Sequence, residues 1–307
     1  MRMLLGIVCY SIATVFYTHA ATNDSSKSSR SPKLGGTIVE RKMNVDDDIA
    51  TLQQAIVGTG NVPNSRLIIE LMANRTYSQR MKLVDAYKTK TNGKSLDYDL
   101  YIATKHTARG DIRYYLLTTT DEILHGKIEE SLDKSKDWAY MSILCTSAET
   151  RLKALNGFQY KKYENSKSYS LGKRIDKGLR QEEGRTLLNF LINPQPRLRP
   201  ESGLDQSKVK DQAKLIPQDG NACKTSNNDL MMLMTKESFD QIKAVDEEYR
   251  RQNNNFSIVQ QIDKVCTGDV REAYRRIVSY AVDPFGYFAD EFYLGLTDRN
   301  HGWIRML

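Results

Sequence analysis

The stretch Leu67-Ile-Ile-Glu-Leu-Met-Ala-Asn-Arg-Thr76 places its apolar residues at helical spacing and returns, in altered form, three times further along the chain. The equivalent positions, which are 72, 90 and 73 residues apart, are Leu71, Ile143, Leu233 and Met306. A repeat of this length with a helical apolar period is typical of an array of helical modules. The sequence therefore predicts an all-α protein built from one repeated unit, with an incomplete last copy.

A second pattern follows each of the first three stretches and consists of a glycine, polar residues and then an apolar helical face. Its glycines are Gly110, Gly184 and Gly268, which lie 39, 41 and 35 residues after the corresponding first positions. Agreement at two places in each copy is much harder to obtain by chance than agreement at one. Each copy is expected to form about five short helices that bury their apolar sides on one another and on neighbouring copies.

The composition agrees with a folded protein and argues against several functions. The 307 residues are 40% apolar and 27% charged, with a net charge of +7, which suits a soluble globular chain rather than a disordered one. His106, His125 and His301 follow no metal-binding spacing, and neither a phosphate-binding loop nor a nucleophile elbow is present. We therefore expect no enzyme. We also expect no nucleic-acid binding, because no aromatic stacking motif is evident.

The first forty residues are expected to lie outside the fold. Arg2 precedes the apolar run Leu4 to Tyr17, and small residues follow this run. Because the run is shorter than the roughly 20 residues that span a bilayer, residues 1–20 are interpreted as a secretory signal peptide rather than a membrane anchor. Residues 21–40 are rich in Ser, Lys and Gly and predict a flexible tail.

Secretion would allow two covalent modifications, N-glycosylation and disulfide formation. Three sequons could then carry glycans, although such short motifs also arise by chance: Asn23-Asp-Ser, Asn74-Arg-Thr and Asn255-Phe-Ser. An oxidising compartment would also allow one disulfide among Cys145, Cys223 and Cys266, with one thiol left over. The interpretation of the three cysteines as small core residues is favoured over such a pair.

Three motifs resemble those of the annexin family, namely Ile-Ile-x-Leu-Met-x-x-Arg-Thr at 68–76, Thr-Gly-Asp at 267–269 and Asp-Pro-Phe-Gly-Tyr-Phe-Ala-Asp at 283–290. Their order and spacing are more specific than any single motif, and the resemblance covers about residues 40–307. It implies an all-helical, curved disc. The predicted parts are repeat 1 at 41–120, repeat 2 at 121–193, a proline-containing linker at 194–217, repeat 3 at 218–284 and a truncated repeat 4 at 285–307.

The resemblance also implies calcium sites that bridge the protein to acidic phospholipid. In annexins, a glycine-rich loop between the first two helices of a repeat offers carbonyls, and an acid three residues before the second-pattern glycine completes the site. This sequence departs from that arrangement in every repeat. The acid positions hold Thr107, Gln181 and Val265. The first loop nevertheless keeps Gly58 and Gly60, and in the second repeat the adjacent Glu182 and Glu183 are possible substitutes for the acid.

Loss of the acid removes the formal charge that the protein would give the ion. We therefore expect calcium affinity to be lost or weak, in the range of about 0.1–1 mM, with Gly58, Gly60 and Glu182 as weak candidate ligands. Trp138 and Trp303 stand at the start of the second helix of their repeats. Both are candidates for membrane contact, although core packing is the favoured interpretation.

Two functions remain open. The main prediction is a secreted, annexin-like protein that docks peripherally on acidic membranes with calcium help reduced or absent. The alternative is a secreted interaction protein that uses the same scaffold to bind protein or anionic glycan without calcium. Pairs of basic residues would attract anionic partners, although a solvated helix face is the favoured explanation of any single pair. The pairs are Lys88 and Lys90, Lys161 and Lys162, Lys173 and Arg174, Arg250 and Arg251, and Arg275 and Arg276.

Overall fold

The computed structural model of the protein describes residues 42–60, 62–104, 112–132, 139–157 and 170–297. In these ranges the regular structure is helical, apart from one isolated antiparallel bridge between Thr59 and Val62. The predicted all-α class is thus confirmed. Among the described helices, none combines the length and the apolar character that a membrane span requires. The chain divides into two compact units, and the division falls between Ile123 and Leu124.

Within the described ranges, the first unit contains five helices and the start of a sixth. Their bounds are α1 Val45–Val57, α2 Ser65–Ala73, α3 Tyr77–Lys90, α4 Leu96–Thr104, α5 Ile112–Leu117 and α6 Thr120–Leu132. A core of buried residues from α1 to α5 holds this unit together, and it includes Ile49, Leu52, Ile68, Met72, Leu83 and Leu100. Ile49 and Leu52 lie three residues apart in α1, so the helical period read from the sequence corresponds to the buried face.

Short-range capping decides where the helices of the first unit begin. Asn44 caps α1, because its side-chain oxygen accepts a hydrogen bond of 3.1 Å from the N–H of Asp46. Thr76 caps α3 in a reciprocal pair with Gln79. The Gln79 N–H donates to the Thr76 hydroxyl oxygen at 3.2 Å, and the Thr76 N–H donates to the Gln79 side-chain oxygen at 3.0 Å.

The Arg-Thr end of the first repeated stretch has a structural role. Arg75 donates from Nε and Nη2 to the two carboxylate oxygens of Asp48, and both distances are 2.6 Å. Both side chains are mostly buried, and the hydrogen bond to Asp48 raises the pKa of Arg75. This bidentate pair joins the end of α2 to the start of α1.

Within the described ranges, the second unit contains the rest of α6 and ten further helices. Their bounds are α7 Ala139–Cys145, α8 Glu149–Gly157, α9 Leu171–Gly178, α10 Glu182–Ile192, α11 Val209–Ala213, α12 Asn228–Lys236, α13 Phe239–Gln252, α14 Ile258–Val265, α15 Gly268–Val282 and α16 Pro284–Thr297. Helix α15 packs against α7, α10, α13 and α14, and its Tyr274 and Ile277 are fully buried.

The order of the described helices follows the repeats read from the sequence. The first repeated stretches form α2, α7 and α12, and the second patterns lead into α5, α10 and α15. Each stretch is therefore the second helix, and each second pattern starts the fifth helix, of a set of five. The boundaries of the four sequence repeats stay a prediction.

All three cysteines lie in the buried core, as the favoured interpretation expected, but that interpretation is wrong for two of them in that they form a disulfide. Cys223 and Cys266, which are 43 positions apart in the sequence, form a disulfide, because the intervening chain folds back and brings the loop before α12 to the end of α14. Cys145 is a free, fully buried thiol. Its burial raises its pKa to about 12, so it stays protonated at neutral pH.

The range 194–217, which the prolines indicated as a linker, contains the short helix α11. Val209 and Ala213 of α11 are buried, and the helix packs against α13. Their spacing of four residues is one helical turn, a signal too short to outweigh the four prolines in the sequence. Helix α11 is the first helix of the third set of five.

Two cations are buried near each other in the second unit. Lys236 donates from Nζ to two backbone carbonyls at the end of α10 and lies 4.5 Å from the centre of the Phe190 ring. Arg199 donates to the carbonyl of Met234 and lies 4.2 Å from the centre of the Phe239 ring. The carbonyl ends of α10 and α12 and the two ring faces stabilise these charges.

Candidate functional site

The loop between α1 and α2 contains the two glycines predicted as weak calcium ligands. Gly58 and Gly60 have φ angles of +66° and +61°, in the left-handed region that favours glycine. A β-carbon on Gly58 would lie 1.7 Å from the carbonyl oxygen of Val62, so no larger residue fits. The Val62 N–H donates to the Thr59 carbonyl at 3.2 Å and closes the turn.

The described residues provide no acidic cluster at this loop. Among the described residues, no group of three or more His, Cys, Asp or Glu could hold a metal ion. Asp48 lies ten residues before Gly58, at the far end of α1 and about 15 Å away, and it is paired with Arg75. Thr107, at the first acid position, lies outside the described residues. Among the described residues of the loop, the groups that could face an ion are backbone oxygens and the hydroxyl of Thr59.

Two exposed valines flank the same loop. Val57 is 62% exposed and Val62 is 69% exposed. Val57 directly precedes Gly58, and Val62 closes the turn that contains both glycines. The loop therefore presents apolar side chains, in addition to carbonyls, to whatever approaches it.

The loop between α11 and α12 is held by its own polar groups. Asp219 Oδ1 accepts hydrogen bonds from the N–H groups of Asn221 at 2.8 Å and of Ala222 at 3.0 Å. Asn227 donates from its side chain to the Ala222 carbonyl and from its backbone to the Lys224 carbonyl, both at 2.9 Å. Carbonyl oxygens of this loop thus already accept bonds from within the loop.

A disulfide joins this loop to the segment that follows α14. Cys223 lies in the loop, and Cys266 ends α14 directly after Val265. The carbonyl oxygen of Val265 also lies close to the loop, because a β-carbon on Gly220 would be 3.1 Å from it. Val265 is the residue at the third acid position. A covalent bond therefore connects the two segments from which a calcium site would take its ligands.

Glu183, the neighbour of the second-repeat calcium candidate Glu182, reaches this loop. Glu183 Oε2 accepts hydrogen bonds from the hydroxyl of Thr225 at 2.6 Å and from its N–H at 2.7 Å. These two bonds, helped by the charge of Lys224, lower the pKa of Glu183. Glu182 is exposed in the first turn of α10. Residues 133–138, which include most of the second-repeat loop, lie outside the described residues.

The second patterns of the second and third repeats pack directly against each other. Gln181 Oε1 accepts a hydrogen bond of 3.2 Å from the N–H of Asp269, and a β-carbon on Gly268 would lie 2.7 Å from the same oxygen. A β-carbon on Gly184 would lie 2.6 Å from Asp269 Oδ2. Both glycines are thus explained by close approach. Gln181, at the second acid position, caps the start of α15.

These contacts do not fit a calcium site in the third repeat. Calcium takes about 6–8 oxygen ligands, usually with carboxylates among them. Val265 is apolar, Cys223 is oxidised to a disulfide, and the carboxylate of Glu183 is bound to Thr225. The loop is closed by protein bonds where an ion would otherwise close it.

The remaining sequence candidates are distributed as follows. Trp138, Trp303, Lys161 and Lys162 lie outside the described residues, so the membrane contact of the tryptophans stays a prediction. Most described members of the basic pairs are bound to acids. This supports a solvated, ion-paired helix face for exposed members such as Lys90 and Arg251, whereas the side chains of Arg174 and Arg276 are mostly buried. The ion pairs are Lys90–Asp46, Arg174–Glu129, Arg250–Asp246, Arg251–Glu248, Arg275–Asp263 and Arg276–Glu272.

The described helices define an all-helical repeat protein of five-helix modules, and in the third module the loop after the first helix meets the segment that leads into the fifth. No family model matches the chain. The chain is similar to annexin A7 of Dictyostelium discoideum, with 23% identity over 255 residues, which are 79% of this chain and 51% of that protein. It therefore spans about half the length of that curated relative.

Solved structures show the same similarity. Annexin III superposes with a TM-score of 0.71 and 21% identity, covering 86% of this chain and 80% of the other. Calcium-bound annexin (Sm)1 superposes with a TM-score of 0.68 and 17% identity, covering 83% and 74%. The chain therefore has the fold of the annexins, in agreement with the resemblance predicted from the repeats.

Proposed function

We propose that this chain docks peripherally on acidic phospholipid membranes, as an annexin-like protein whose calcium affinity is weak or lost. The annexin scaffold supports calcium-dependent membrane binding in general. The weaker role of calcium is supported by one observation above all, the disulfide that ties the third-repeat loop to the residue after Val265. We propose a binding role and no catalytic one.

The contacts in the third repeat support the proposal that its loop keeps its conformation without a bound ion. In a calcium site, the ion holds the loop and the acid together and is lost when calcium falls. The Cys223–Cys266 bond and the Glu183–Thr225 hydrogen bonds hold the corresponding segments here. The shape of this loop is therefore expected to be the same with calcium and with a chelator.

The first repeat supports contact with lipid by two routes. Gly58 and Gly60 keep a turn whose carbonyls could bind calcium in the weak range of about 0.1–1 mM. Val57 and Val62 add apolar side chains at the same loop, and burying each in a membrane interface is worth roughly 1.5–3 kcal/mol. Glu182 remains the weak candidate of the second repeat.

We propose that the protein is extracellular. Disulfides form and persist in oxidising compartments and are rare in the cytosol, and the Cys223–Cys266 pair supports such a compartment. At extracellular calcium levels a weak site such as that at Gly58 and Gly60 would still be partly filled.

Sedimentation with phosphatidylserine vesicles tests this function. The full chain is mixed with vesicles in calcium or in chelator and over a salt series, with phosphatidylcholine vesicles as the control. We expect pelleting with phosphatidylserine that changes little when calcium is chelated. The double variant Val57→Ser and Val62→Ser should pellet several-fold less, whereas Leu204→Ser, which is also exposed, should behave like the parent chain.

The outcomes separate the candidate functions. Pelleting that requires micromolar calcium would contradict the proposed loss of affinity. Pelleting that falls steeply with salt and ignores both valines would indicate attraction by charge alone. No pelleting under any condition would leave the alternative, a protein or anionic glycan bound by the annexin scaffold without calcium.

A further inference from the structure

The described part of the chain contains two sequons, Asn74-Arg-Thr and Asn255-Phe-Ser, and their surroundings differ. The third sequon, at Asn23, lies outside the described residues. A glycan on asparagine needs a side chain that can lose one amide hydrogen and carry a bulky sugar into solvent. The folded environment of each asparagine therefore decides which sequon the protein can tolerate in glycosylated form.

The side chain and the backbone carbonyl of Asn74 both take part in hydrogen bonds of the folded protein. Asn74 ends α2, its side-chain nitrogen donates to the Glu70 carbonyl at 2.6 Å, and it is only partly exposed. Its own carbonyl accepts a hydrogen bond of 3.1 Å from Arg75, which is at the same time bound to Asp48. A sugar on Asn74 would have to be placed between these groups.

The side chain of Asn255 takes part in no such hydrogen bond among the described residues. Asn255 lies in the turn between α13 and α14, its side chain is exposed, and its amide has no bonding partner among the described residues. The turn is fixed by the backbone, since the Asn255 N–H donates to the Arg250 carbonyl at 2.9 Å. Asn254 and Asn255 both have positive φ angles, 52° and 65°, which asparagine tolerates better than most residues. A sugar here would extend into solvent without breaking a described bond.

The hydroxyl residue of this sequon has a second role after folding. Ser257 caps α14, and its hydroxyl oxygen accepts a hydrogen bond of 3.1 Å from the N–H of Gln260. Ser257 is buried, so the glycosylating enzyme must bind the sequon before this part of the chain folds. The folded structure then only has to accommodate the product.

The position of Asn255 is also compatible with docking by the loops. Asn255 precedes α14, and Cys266 follows it. The eight residues of α14 separate these ends by about 12 Å. A glycan on Asn255 would therefore be attached at the end of α14 opposite the disulfide.

We propose that Asn255 is an N-glycosylation site and that Asn74 is not. This inference rests on the proposed secretion. The donor is a lipid diphosphate-linked oligosaccharide in the secretory lumen. The Asn255 amide nitrogen attacks the anomeric carbon, a C–N bond forms as the C–O bond to the diphosphate breaks, the lipid diphosphate leaves, and the amide loses one proton to a base of the transferase.

The test is expression of the full chain in animal cells and analysis of the secreted protein. Enzymatic deglycosylation in heavy-oxygen water converts a glycosylated Asn into a labelled Asp, which peptide mass spectrometry locates. We expect the label at Asn255 and none at Asn74. Asn255→Asp, which suits the same turn, should remove this glycan, whereas Ser257→Thr, which keeps both the sequon and the capping oxygen, should retain it.

The two underlying proposals fail in different ways. A chain that stays inside the cell would contradict secretion. A second version, carrying a proven secretion leader, then still tests the site. If that secreted chain has its disulfide intact but no label at Asn255, the glycosylation site is wrong, whatever the natural compartment is. A label at Asn74 would contradict the argument from its hydrogen bond to Glu70.

Discussion

Cys223 and Cys266 are joined by a disulfide at the point where the loop before α12 meets the end of α14. The bond lies next to Val265, at the position where an acid would complete a calcium site. Glu183 reinforces the same loop from α10 through Thr225. The third repeat thus keeps the contact between loop and fifth helix but makes it with covalent and hydrogen bonds.

Removal of this disulfide should destabilise the second unit more than removal of calcium does. Closing a loop of 43 residues is worth about 4 kcal/mol in the chain-entropy model. The double variant Cys223→Ala and Cys266→Ala should therefore unfold at lower denaturant, and reduction should shift the parent chain in the same direction. Cys145→Ala is the control, because it leaves the response to the reductant intact. An equal midpoint for oxidised and reduced parent chain would contradict the role of the bond.

Glu183 should matter for stability where Glu182 does not. Glu183→Gln removes the negative charge of the side chain that accepts both hydrogen bonds from Thr225. It should lower the free energy of unfolding by about 1 kcal/mol. Glu182→Gln changes an exposed residue and should stay within about 0.5 kcal/mol.

Denaturant unfolding at several pH values checks the cause of the Glu183 effect. The folded-state pKa of Glu183 is lowered, so its contribution is present above the unfolded pKa of roughly 4.3 and is lost as the pH falls through the folded value. The difference between parent and Glu183→Gln should shrink in acid. A difference that is the same at pH 3 and pH 6 would point to packing instead.

Gly184→Ala should disturb the contact between α10 and α15. The new methyl group would lie 2.6 Å from Asp269 Oδ2 and 2.8 Å from its β-carbon, and such overpacking typically costs about 1–3 kcal/mol. Gly157→Ala is the matched control, because a β-carbon there meets no described neighbour within 4 Å. Thermal unfolding of both variants measures the difference. Equal midpoints would show that the contact between α10 and α15 accommodates the methyl group without loss of stability.

Lys236 should make stability rise with pH in mildly alkaline solution. Burial, together with the neighbouring Arg199, lowers its pKa to about 8, whereas an unfolded lysine has a pKa of roughly 10.4. Between these values the unfolded chain binds more protons than the folded one, so the free energy of unfolding increases with pH. Unfolding at pH 7.5 and pH 9.5 should show this rise for the parent chain. The rise should be smaller in Lys236→Met, and an identical slope would contradict the assignment to Lys236.

Much of the fold could be predicted from the sequence because the signals are local. The helical spacing around Leu71 and Leu233, and the glycines Gly184 and Gly268, mark helices within short stretches of chain. Helix α11 was missed because its one turn, from Val209 to Ala213, follows a proline-containing segment.

The site was predicted less well, since its contacts join distant residues. Gln181 meets Asp269, and Glu183 meets Thr225, across 88 and 42 residues. One signal was available in the sequence. Cys223 falls in the third-repeat loop and Cys266 falls next to the third acid position, and superposing the repeats would have placed the two cysteines together.

Calcium titration of the purified, oxidised protein in the presence of phosphatidylserine vesicles tests whether membrane docking depends on a bound calcium ion. Free calcium is raised from nanomolar to millimolar levels while bound ion and pelleted protein are measured together. We expect no saturable uptake below about 0.1 mM and pelleting that is already present in chelator. Stoichiometric uptake at micromolar calcium, with pelleting that follows it, would show that a high-affinity calcium site is retained.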